Sequence, residues 1–148
     1  MSKPTHYSTF VVVSGPPLPD LPSELLELAM KDLATVERRP LYRVDMRTFH
    51  SPERGLCSVC MAGAVMTRFL HHKDLCTSPV GMFDEVTAMK LMALDMMRVG
   101  NVRAAVRTMG LSAKSSLVNR NVVSYENSPE FFRNDMAEMI SDLKCALL

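Results

Sequence analysis

Three stretches of the chain place apolar residues at three- and four-residue intervals and carry helix punctuation at their ends, which confines the sequence to a mainly α fold. The first opens at Ser23, read as an N-cap behind Pro22, and runs to about Arg38, where Pro40 stops it. Leu25, Leu26, Ala29, Met30, Leu33 and Val36 share its broad apolar face. The second spans Phe83 to Val99 and is ended by Gly100, the residue type that helix C-termini favour. The third starts at Ser128-Pro129-Glu130, which supplies an N-cap, a proline at the first helical position and an acid in the first turn. Phe132, Met136, Met139, Ile140, Leu143, Ala146 and Leu147 form its stripe, with Phe131 and Cys145 on the opposite side.

The intervening segments are shorter. Asn101–Met109 reads as a short helix closed by Gly110, and Leu56–Leu70 as a buried central helix that is apolar almost all round. Leu41–Met46 alternates as a strand does, and a β-branched, aromatic-rich run at Tyr7–Val13 is its expected partner. Gly15-Pro16-Pro17-Leu18-Pro19 is a stiff spacer, Thr48–Pro52 with Gly55 a loop, and His71–Gly81 a break. Leu111–Tyr125 is polar, Ser-rich and fits neither period. The expectation is a single-domain helical bundle of about four to five helices with a minor short β element near the N-terminal half. Residues 1–22 form an extended arm and Pro-rich spacer, and residues 23–148 the helical core.

Composition narrows the function classes. A chain of 148 residues with 47% hydrophobic and 22% charged residues can bury a sizeable core, which excludes wholesale disorder. A net charge of +1 gives no whole-molecule attraction to nucleic acid or membrane. No apolar run approaches the ~18 residues of a membrane span, and Phe10–Val13 is too short for a signal-peptide core. Four cysteines, unevenly placed, do not make a secreted disulfide framework, so a soluble cytoplasmic protein with reduced thiols is expected. Thirteen Met and no Trp suit an adaptable core.

Cys57-Ser58-Val59-Cys60, with His71 and Cys76, has the ligand types of a tetrahedral zinc site. The ten-residue step from Cys60 to His71 is loose for a knuckle, and the pair opens an expected helix instead of a turn. On that helix Leu56, Cys57, Cys60, Gly63, Ala64 and Thr67 share one side, and the cysteines read more simply as small packing residues. No cofactor is expected. His50, flanked by Asp45 and Glu53, invites a Cys/His catalytic reading, but its candidate thiols lie in an apolar segment, and a non-enzymatic protein is favoured.

Between residues 98 and 120 the chain carries Arg98, Arg103, Arg107, Lys114 and Arg120 and no acid. Such a patch suits phosphates of nucleic acid or a nucleotide. Balance against Glu126, Glu130, Asp135, Glu138 and Asp142 is the preferred account, since few aromatics lie near to stack on bases. On the second long helix Leu91 and Leu94 fall among Asp84, Lys90, Asp95 and Arg98, away from Val86, Met89, Met92, Ala93, Met96 and Met97. Leu91, Leu94 and Phe131 are therefore the expected partner-binding residues.

The blocks Leu41–Met46, Phe49-His50-Ser51-Pro52 and Cys57–Met66 resemble small accessory proteins encoded by tailed bacteriophages, with a weaker echo at Leu94–Gly100. The resemblance brings no activity or cofactor. It implies a phage accessory protein in the host bacterial cytoplasm that binds and modulates a host protein, with self-association as a second expectation. The alternative is the phosphate-recognising module at 98–120.

Overall fold

The computed structural model describes residues 17–53, 55–69 and 83–148, with the side chains of Pro52 and Glu53 left undescribed. The expected strand at Tyr7–Val13, the break at 71–81, and His71 and Cys76 lie outside the described residues. The order of elements is α1 (Pro22–Glu37), β1 (Tyr42–Val44), β2 (His50–Glu53), β3 (Leu56–Val59), α2 (Met61–Met66), α3 (Glu85–Arg98), α4 (Val102–Thr108) and α5 (Pro129–Cys145). The protein is mainly α, with a three-stranded sheet ordered β1-β3-β2. One apolar cluster joins residues of the five helices found among the described residues, β3 and Leu18.

α1 begins one residue before the expected cap. Pro22 occupies the first turn, Leu21 is the N-cap and makes no side-chain cap hydrogen bond. Ser23 is buried, and its N–H donates to the carbonyl of Leu148 at 3.0 Å, so the end of α5 serves as the cap. The segment before α1 is no free arm over its described part, because Leu18 is a core residue.

The largest departure from expectation is at 56–70. Leu56–Val59 is a strand, paired antiparallel with β2 (His50↔Val59, Glu53↔Leu56) and parallel with β1 (Tyr42↔Cys57). Among the described residues of this stretch only Met61–Met66 is helical, with Cys60 as N-cap. An apolar run buried on every side has no period to separate the two structures. The local signal was Gly55, whose φ of 81° closes the two-residue connection between β2 and β3. The expected loop at 48–52 accordingly ends in strand β2.

α3 is capped as its sequence suggests, Asp84 accepting from the Thr87 N–H at 2.8 Å, but its buried face is rotated. Leu91 and Leu94 are 0% exposed, whereas Val86 and Met92 are exposed. Lys90 is buried with the two leucines. Its stem is buried in the middle of the inward arc, and its ammonium donates to the Leu18 carbonyl at 2.7 Å and to Asp20 at 2.8 Å. Lys90 holds the Asp20 carboxyl below its usual range. Leu91 and Leu94 are core residues instead of an exposed pair, and the buried arc lies about 100° round the helix from the expected apolar face.

α5 matches its signals: the Ser128 hydroxyl accepts from the Phe131 N–H at 3.2 Å, and Phe132, Met136, Met139 and Leu143 are buried. It ends in two reversed hydrogen bonds, Leu147 N–H to Lys144 and Leu148 N–H to Leu143 at 2.8 Å, with Leu147 left-handed at φ 61°. Glycine is the usual residue at that position. Leu147 is 80% exposed, so its side chain contributes little burial against the steric cost of its backbone. Leu147→Gly is expected to stabilise the fold by about 1 kcal/mol and raise Tm by ~2–4 °C. Leu147→Ala, which keeps the Cβ, should leave Tm nearly unchanged. Thermal unfolding by circular dichroism checks both.

Candidate interaction surface

Residues 111–123 run without regular structure, yet they are tied down along their length. The Arg103 guanidinium on α4 donates to the carbonyls of Lys114 (2.7 Å) and Leu117 (2.8 Å), and the Arg103 N–H donates to the Asn119 side-chain oxygen. Leu117 is buried, and the Arg120 N–H donates to the Gly100 carbonyl at 2.9 Å. Gly100 has φ 85°, and a Cβ there would lie 2.0 Å from the Arg120 carbonyl oxygen, so only glycine admits this approach.

This strap crosses one stripe of α5. At 100° per residue Phe131, Asp135, Glu138, Asp142 and Cys145 fall together. The Val123 N–H donates to Asp135 at 2.9 Å, and the Arg120 guanidinium donates to Glu138 and, at 2.7 Å, to Asp142. Val118 and Leu117 border Asp142 and Cys145 around a cleft of about 380 Å³. The strap therefore runs antiparallel to α5, with residue 123 at the second turn and residue 118 at the last. At the head of the stripe the chain has turned away into Ser128, and Phe131 is left 58% exposed. Val118 and Val123 are the exposed apolar residues of the strap.

The basic set is spent mainly on this architecture. Arg103 and Arg120 are clamps, and Arg98 pairs with Asp95 at 2.8 Å one turn earlier on α3. Arg107 and Lys114 remain exposed. The balancing of basic and acidic segments is direct at Arg120, whose partners lie on α5. The clamp function itself escaped sequence reading. Its signal is the match between an acid-free stretch and carboxylates spaced three and four apart on one helical stripe.

The sheet brings together the candidate thiol and imidazole. Cys57 Sγ lies 3.3 Å from His50 Nδ1 and 3.4 Å from Nε2, with the Tyr42 ring edge-on to His50 at 6.0 Å. Cys57, Tyr42 and His50 share a face because Tyr42 pairs with Cys57 across β1–β3 and His50 with Val59, the next residue on Cys57's face, across β2–β3. Both Cys57 and His50 are buried. Asp45 does not orient His50. It accepts from Arg47, which holds its carboxyl below the usual range. Cys60 points elsewhere: its Sγ accepts from the Gly63 N–H at 3.4 Å, and burial pushes its thiol up to about 11. Among the described residues, no group of three His, Cys, Asp or Glu side chains is placed to hold a metal ion.

This arrangement makes a prediction about thiol reactivity. Cys145 is exposed and should be alkylated rapidly in the native protein, whereas Cys57 and Cys60 should react only on unfolding. Peptide mass spectrometry after timed iodoacetamide treatment reads the order directly.

No family model, curated protein or solved structure matches the chain. Among the described residues no helix is long and apolar enough to cross a membrane.

Proposed function

We propose that the chain is a non-enzymatic, phage-type accessory protein that acts in the bacterial cytoplasm by binding and modulating a host protein through a helical surface. Its helices act as a single-domain, bundle-like support for that surface. The observation that carries the reading is Phe131, a large aromatic turned outward at the head of a stripe that the rest of α5 and the strap hold rigidly. Burying an exposed Phe against a partner contributes ~1.5–3 kcal/mol, or about ten- to a hundred-fold in affinity. Aromatic residues are the usual anchors of such contacts. With Leu91 and Leu94 in the core, Phe131 is the member of the expected set left to meet a partner.

Phe131→Asp is a clean probe. The residue is the third of α5, where an acid favours the helix dipole, and its side chain is not part of the core. The variant should keep Tm within about 2 °C of the parent while losing at least tenfold in capture of a defined bacterial protein at high salt. Equal capture by parent and variant would remove Phe131 from the interface. The phosphate reading, by contrast, has Arg107 and Lys114 as its exposed cations.

A further inference from the structure

The geometry points to the chemistry of the partner at this surface: a basic protein segment with a bulky apolar anchor, lying along the α5–strap seam. The inference rests on the reading of Phe131 as a contact residue. Three observations lead to it. First, the stripe begins with exposed Phe131 and ends at the cleft of about 380 Å³ beside Val118, Asp142 and Cys145. The 1.5 Å rise per residue sets these about 21 Å apart, a span that about four turns of helix or a short extended segment covers.

Second, the ground between them is acidic. Asp135, Glu138 and Asp142 lie along it, with Arg120 the cation bound to the last two, and Glu130 adds a carboxylate at the head, one residue before Phe131. Arg133 and Lys144 are turned away to Glu37 and Glu27 on α1. Single charges on an otherwise near-neutral chain count for little, but an apolar anchor beside Glu130 and followed along α5 by three acids, two of which share one arginine, selects a cationic partner and repels nucleic acid.

Third, the surface is stiff. The strap's backbone is held by the Gly100 carbonyl, the Arg103 guanidinium and the Asp135 carboxylate, so little ordering accompanies binding.

The test exploits the absence of Trp from the chain. Two synthetic 14-residue peptides, one of Leu and Lys with a single Trp and one with Glu in place of every Lys, are titrated with the intact protein while Trp fluorescence is followed. The Lys peptide is expected to bind, with affinity falling at least tenfold between low and moderate salt, and the Glu peptide to show no binding. Phe131→Asp should cut affinity for the Lys peptide at least tenfold. Glu130→Lys should weaken it several-fold at low salt and leave it unchanged at high salt. Equal binding of both peptides, indifference to Phe131→Asp, or no binding of the Lys peptide would overturn the inference. Light scattering on the protein alone gives a further outcome: a dimer that Phe131→Asp dissolves assigns the surface to a second copy and overturns the basic-segment partner. If capture of a defined bacterial protein depends on Phe131 while neither peptide binds, the partner chemistry falls and the contact reading stands. If capture ignores Phe131, the contact reading itself falls.

Discussion

Replacing Gly63 by Ala is expected to abolish the native fold. A Cβ at Gly63 would sit 1.5 Å from the carbonyl oxygen of Phe49 and 2.7 Å from its carbonyl carbon. Both are backbone atoms at the entrance to β2, and no rotamer change relieves the clash. Relief requires α2 to move off the sheet, which uncovers Met61, Ala62, Ala64, Val65 and Met66, all 0% exposed. Overpacking of this kind against backbone costs more than ~4 kcal/mol, a large part of the stability of a domain this size. The soluble yield should collapse, and any recovered protein should lack a cooperative thermal transition. Gly55→Ala is the control. Its Cβ meets nothing within 4 Å, so only the φ of 81° opposes it, and the cost should stay near 1 kcal/mol.

The second large effect is at Leu91 and Leu94. Either residue changed to Lys buries a charge with no partner, since both are 0% exposed and the nearby polar capacity is already used by Lys90, Leu18 and Asp20. Each substitution should lower stability by more than ~4 kcal/mol and the pair should prevent folding. The milder Leu94→Ala should cost ~2–5 kcal/mol by the lost contacts and the cavity left behind. A nearly unchanged thermal midpoint for either Lys variant would place these leucines on the surface, as the alternation of charged residues around them first suggests.

That contrast shows what the residues disclose by themselves. α5 was legible from end to end because its cap, proline, first-turn acid and stripe all agree, and its C-terminal reversal differs only in turning Leu147 outward. The existence of α3 was equally plain, but its orientation was not: Leu91 and Leu94 are buried although Asp84, Asp95 and Arg98 share their side, and Lys90 is buried with them. A lysine whose amine reaches a carbonyl 72 residues away in the sequence cannot be recognised as buried from its own neighbours. At 57–66 the difficulty was reversed: uniform burial erased the period that would have told strand from helix. The strap was unreadable for a further reason. Its backbone groups are satisfied by Arg103, Gly100 and Asp135, through contacts with no local pattern, and neither helical nor strand spacing describes it. Gly63, which the sequence groups with small residues on one side of an expected helix, lies against the backbone of Phe49.

The candidate site was legible in pieces. Phe131 stood out as an apolar residue on the wrong side of a clean stripe, and it is exposed. Arg103 and Arg120 stood out by charge, but their geometry makes them clamps of the strap. Cys57 and His50 belong together because β3 replaces the expected helix, which puts the thiol opposite β2.

Capture from bacterial lysate at high salt, comparing Phe131→Asp with the double variant Arg107→Glu/Lys114→Glu at matched thermal midpoints, tests the central claim most directly. The account predicts that a defined protein, retained stoichiometrically by the parent, is lost by Phe131→Asp and kept by the double variant. Loss in the double variant with full retention in Phe131→Asp would contradict it and move the functional surface from α5 to the basic residues of α4 and the strap.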